Sequence, residues 1–181
     1  MALSWNDNID VDEAIDEKDL KNAESLGRPP AGRYLCKCID SQPEQIEFKA
    51  YSCIGAVLKF EILKPLEIEG QPPTEDAAKE LVGKIISDTI AMFSPMEKDG
   101  MKNRRVLVAK RMGLISNGAD HISTDMWANG VIGQKVIIDF EENSWKDKNT
   151  GEIKKNLKVA FDGYDYAEKA NTPTQDDFSD I

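Results

Sequence analysis

Two stretches late in the chain alternate apolar and polar side chains. Val136, Ile138 and Phe140 recur in the first, and Leu157, Val159 and Phe161 in the second. A period of two places each set on one face of a strand. The polar run Asp147 to Gly151 between them supplies a turn, so the pattern predicts a long β-hairpin with these six residues inward. Sheet is therefore the framework that the rest of the chain has to extend.

Earlier segments do so. From Gly32, Tyr34, Cys36 and Cys38 share one face of a strand and Arg33, Leu35 and Lys37 the other; both faces carry apolar groups, so the pattern leaves open which is buried. A second strand over Gly55 to Lys64 turns Leu58, Phe60 and Ile62 inward and Lys59 and Glu61 outward, as in a half-solvated antiparallel sheet. Residues 65–82, with three prolines, predict a loop and a short helix capped by Thr74. A third strand follows near Lys84 to Phe93. Val108, Met112 and Ile115 fall at helical spacing within 102–116, and a second short helix is expected around Asp125 to Asn129. Five strands with helices between the third and fourth is the element order of an OB-fold, a partly open barrel that binds oligonucleotides. The expected class is thus mainly β with inserted helices, a five-stranded OB-fold barrel over 29–166. An acidic arm over 1–28, with a short helix near Asp12 to Ser25, and an acidic tail over 167–181 flank it.

A net charge of -10 argues against a polyanionic partner until its distribution is considered. Residues 1–28 hold eight acids against three bases and residues 165–181 five against one, which leaves only -1 for the middle. Within that middle, Asn143 to Lys158 carries +3: Lys146, Lys148, Lys154, Lys155 and Lys158 with Trp145 among them. Lysines neutralise phosphates and an indole stacks on a base without choosing sequence, so this hairpin is the expected grip on a single strand. A second basic stretch, Lys98 to Arg111, sets six bases against Asp99 and the flanking Glu97. Arg104 and Arg105, at the start of the expected helix, are its candidate contacts. Lys37, Lys59 and Lys84 are expected to line the sheet face. In the tail, Asp176, Asp177, Phe178, Asp180 and Ile181 combine acids with apolar groups, suited to a partner's basic-rimmed pocket or to the chain's own basic groove.

Enzyme signatures are missing from the sequence. Gly83-Lys84 is followed by Ile85 and has no glycine five residues before it, so it is no P-loop. His121 is the only histidine, too few for a two-histidine zinc motif, and its combination with Cys36, Cys38 and Cys53 as a metal site is disfavoured because the first two share a strand face with core residues. No cofactor and no catalytic residue are expected. No run of eighteen apolar residues occurs and the first ten residues lack a basic start leading into an apolar stretch, which predicts a cytoplasmic protein, in a bacterial host cell, without a membrane partner.

Gly32-x-Tyr34, Leu58-Lys59-Phe60-Glu61-Ile62, Gly83 to Asp88, Gly133-Gln134-Lys135-Val136 and Asn156 to Tyr164 together resemble a family of small phage-encoded OB-fold single-stranded DNA-binding proteins. The resemblance covers about residues 30–165. It implies a sequence-tolerant single-stranded DNA binder in phage DNA replication and recombination. The acidic end is similar to tails that recruit replication and repair enzymes, although those usually finish in Pro-Phe and this one in Asp180-Ile181. The competing expectation is a protein-interaction module, a phage inhibitor or adaptor whose acidic ends engage a basic host protein.

Overall fold

The computed structural model describes residues 12–25 and 27–171. A short helix α1 (Glu17–Ser25) precedes two long strands, β1 (Gly32–Glu47) and β2 (Ser52–Ile68). Helix α2 (Glu75–Leu81) leads to β3 (Ile85–Ala91), and α3 (Asp99–Arg111) and a wide π turn (Met126–Gly130) separate β3 from β4 (Lys135–Lys146). β5 (Ile153–Tyr166) runs into a 3-10 turn (Ala167–Asn171). The five strands form one antiparallel sheet in the order β3-β2-β1-β4-β5.

The buried face of β1 is Tyr34, Cys36 and Cys38, which meet Leu58, Phe60 and Ile62 of β2, Ile86 and Ile90 of β3, and Val136 and Ile138 of β4. Each fully buried aliphatic or aromatic side chain of this set contributes about 1.5–3 kcal/mol. α3 lays Val108, Ala109 and Met112 on the same core, α2 adds Leu81 and the π turn adds Trp127. Burial pushes the Cys36 thiol up to about 12 and the Cys38 thiol to about 11. Thr74 caps α2 by accepting from the Ala77 N–H. α3 stops before Gly113, whose positive φ of 73° a helix does not accommodate. Ile115, expected on the helix, packs on the core from the loop beyond it.

Three sequence expectations are corrected. First, β1 and β2 are longer than the pattern suggested. Beyond its last pairing with β4 at Lys37, β1 continues along β2, whose other side carries β3 as far as Gly55, and only the tip over residues 45–54 is a two-stranded ribbon. Second, Pro65 lies inside β2 and not in a loop. It pairs with Tyr34, and the register then skips Leu66 to join Glu67 with Arg33, the kind of bulge at which a proline without an N–H is tolerated.

Third, Phe161 points outward and is 53% exposed. Ile138 pairs with Tyr164 and Phe140 with Val159, so residues 160–163 of β5 stand opposite Asp139 alone. That insertion reverses the alternation, burying Val159 on one side of it and Tyr164 on the other. Gly163 permits the bend, because a Cβ there would lie 2.8 Å from the Ala160 Cβ and 2.9 Å from the Asp139 carbonyl oxygen. Gly163→Ala is expected to cost about 1–3 kcal/mol in urea unfolding through this overpacking. An unchanged midpoint would mean that the bulge relaxes freely.

β3 and β5, the two ends of the sheet order, are joined by side chains. From α3, Arg104 donates through Nε to the Phe161 carbonyl at 2.9 Å, through Nη1 to the Thr89 carbonyl at 3.2 Å and through Nη2 to Asp88 at 2.6 Å. The Tyr164 hydroxyl donates to the same Asp88 carboxylate. The sheet therefore curls until its edges meet across a polar seam. A second ionic cluster ties Arg33 of β1 to Asp139 and Asp165, with Arg111 and Lys169 also on Asp165.

Candidate nucleic-acid interface

Past the Phe140–Val159 pair, β4 and β5 leave the core as a ribbon with rungs from Glu141–Lys158 to Lys146–Ile153. Its turn is built by Asp147, whose carboxylate accepts from the Asn149 and Thr150 N–H groups, and by Gly151 at φ 71°. The Lys154 ammonium, 2.7 Å from Asp147, holds that carboxyl below its ordinary range, helped by the two backbone donors. Trp145 stands directly across from Lys154 with 44% of its surface exposed, and Ile153 near the tip is 73% exposed. Lys155 pairs with Glu142 at 3.0 Å. Lys146 and Lys148 have no carboxylate at ion-pair distance among the described residues.

The ribbon thus gathers five of the ten residues expected to touch nucleic acid. The sheet lysines lie elsewhere. Lys37 faces outward between Glu61 of β2 and Lys135 of β4, and Lys59 between Asp40 of β1 and Ser87 of β3. Lys135 begins β4 and Lys146 ends it, so about 35 Å of strand separates the Lys37 level from the ribbon tip. Lys84 precedes β3, partly buried, its carbonyl accepting from the Ile62 N–H.

Arg104 and Arg105 are engaged within the fold. Arg104 closes the seam, with 12% of its side chain exposed. Arg105 is buried, donates from both terminal nitrogens to Glu97 at 2.9 and 2.8 Å, and donates to the Ala91 carbonyl at 2.9 Å. A guanidinium already holding a buried carboxylate would have to abandon it to reach a phosphate. The basic stretch therefore presents fewer free charges than its composition suggests.

Aromatic groups the sequence reading passed over appear at the other ribbon. At the β1–β2 tip the rings of Phe48 and Tyr51 stack 4.9 Å apart, flanking Lys49. Phe48 also lines a cleft of about 570 Å³ that crosses the seam, with Thr89, Met101, Arg104, Lys158 and Phe161 among its other walls. The cleft therefore links the first ribbon to the base of the second. Phe48-Lys49-x-Tyr51 was the available signal, an aromatic pair around a lysine, but it had no recognised strands to place it on a tip.

His121 sits on an exposed loop against Asp120, whereas Cys36 and Cys38 are in the core. Among the described residues no three potential ligands converge on a metal-sized site, and no helix is long and apolar enough to cross a membrane. The tail positions Asp176, Asp177, Phe178, Asp180 and Ile181 lie outside the described residues. No protein-family model and no curated protein sequence matches the chain.

Proposed function

We propose that this chain is an OB-fold, sequence-tolerant single-stranded DNA-binding protein serving phage DNA replication or recombination. The observation that carries the reading is the projecting β4–β5 ribbon, where an exposed indole stands across from Lys154 and is followed at once by Lys146, which has no carboxylate at ion-pair distance among the described residues. An indole offers a stacking plane to any base, and the lysines supply phosphate attraction without sequence choice. The order β3-β2-β1-β4-β5, with its two edges drawn together, supports the barrel assignment. Arg104 and Arg105 are left out of the interface, and Phe48 and Tyr51 join it. The acidic tail serves partner recruitment or competes with DNA for the basic surface.

The test is fluorescence anisotropy of a labelled oligothymidine of about thirty nucleotides, long enough for an OB-fold site. Loss of one stacked base predicts that Trp145→Ala binds about 5- to 100-fold more weakly. With about four lysine–phosphate contacts, log K should fall with log salt at a slope of about -3. A second reading, the protein-interaction module, draws on the carboxylates already paired with Lys154, Lys155, Arg104 and Arg105. Absence of oligothymidine binding at low salt would favour it.

A further inference from the structure

We infer that the acidic N-terminal arm is an intramolecular clasp on the β4–β5 ribbon, competing with nucleic acid for it. The chain leaves the sheet at the ribbon's base, because Gly32, the first residue of β1, pairs with Phe140, the last before the ribbon begins. Immediately before it, Pro29 is buried and the Pro30 carbonyl accepts from the Tyr34 hydroxyl at 2.7 Å, which fixes where the arm departs. Glu17 and Arg28 line one cleft, about 710 Å³, with Trp145, Ile153, Lys154 and Lys155.

The arm's charge opposes the net +3 of Asn143 to Lys158, within which Lys154 and Lys155 are shared with Asp147 and Glu142. Residues 12–19 hold five acids against Lys18, all exposed. Asp16 and Asp19 shape the start of α1, each carboxylate accepting from the other's N–H at 2.9 and 3.0 Å. Glu17 is thereby presented from the ordered first turn of α1, with Asp12 and Glu13 just ahead of it in the chain. A segment tethered this close to its target meets it at high effective concentration, so even weak pairs hold it in place. A DNA strand reaching for the same indole and lysines has to displace the arm. Screening weakens the arm's hold as salt rises.

This proposal rests on the ribbon being the nucleic-acid grip, and its test separates the two ideas in the full-length chain. Glu13→Gln with Glu17→Gln is expected to bind oligothymidine about two- to tenfold more tightly at low salt, the range two exposed ion pairs supply. The gain should shrink as salt is added. A matched change on α2, Asp76→Asn with Glu80→Gln, removes the same charge away from the cleft and should give a smaller gain. Independently of DNA, Glu17→Cys with Ile153→Cys, in a Cys53→Ser background, should be joined by a short bis-maleimide at low salt and less at high salt.

No crosslink at low salt overturns the clasp, whatever the DNA result. A crosslink with wild-type binding that neither arm substitution improves, or that the α2 control improves equally, overturns the competition. If neither protein binds oligothymidine while the crosslink forms, the nucleic-acid reading fails, and the competition with it.

Discussion

Arg104→Ala should lower the free energy of unfolding by about 3–5 kcal/mol, the cost of breaking a buried ion pair from one side. Oligothymidine affinity of the folded protein should stay unchanged. The side chain makes three hydrogen bonds to two strands that share no backbone ladder, and its guanidinium lies 5.5 Å over the Phe161 ring. Truncation leaves Asp88, with 13% of its side chain exposed, to the Tyr164 hydroxyl and the Thr89 N–H with no opposite charge beside it, and deprives two edge carbonyls of their donor. Arg104→Lys should recover only part of the loss, because one ammonium on a flexible stem cannot reproduce a three-way planar fork. Urea unfolding and anisotropy on the same preparations separate the roles. Weakened DNA binding with little loss of stability would return Arg104 to the interface.

That contrast shows where the sequence was legible and where it was not. Alternation located β3, β4 and β5 and the buried face of β2, because one-sided burial leaves a period of two in the residue types. It failed at Phe161, since the four residues opposite Asp139 reverse the parity between Val159 and Tyr164. It also failed over residues 40–54. The far end of β1 and the ribbon tip beyond it are largely exposed, and Gln42, Pro43, Glu44 and Gln45 carry no apolar rhythm to read. The pairing of Arg104 and Arg105 was illegible for another reason. A basic helix has one composition whether its arginines meet phosphate or carboxylate, and Asp88 reaches Arg104 only through tertiary packing. The β4–β5 ribbon was readable because turn, lysines and Trp145 are contiguous, whereas the seam cleft draws on β1, β3, α3 and β5 together.

Removing the other arginine should expose a pH dependence whose sign follows from Glu97. Hydrogen bonding from Arg105, working against burial, holds the Glu97 carboxyl below its ordinary value of 4.5. A carboxyl with a depressed folded-state pKa adds stability that is fully present above its unfolded value and is lost as pH falls through the folded one. Wild type should therefore exceed Glu97→Gln in stability near neutral pH, and the gap should close on acidification, where both side chains are neutral. Arg105→Ala should be the more damaging change at neutral pH, by about 3–5 kcal/mol, because it leaves an ionised carboxylate, with 9% of its side chain exposed, only the Ser94 backbone and the charge of Lys102. The Ala91 carbonyl loses its donor as well. Acid should relieve part of that deficit, since Glu97 can then take up a proton. Urea unfolding at several pH values for the three proteins checks both signs. Parallel stability curves for wild type and Glu97→Gln would mean that the pair adds nothing beyond its own desolvation, leaving Arg105 a packing residue on the Ala91 carbonyl.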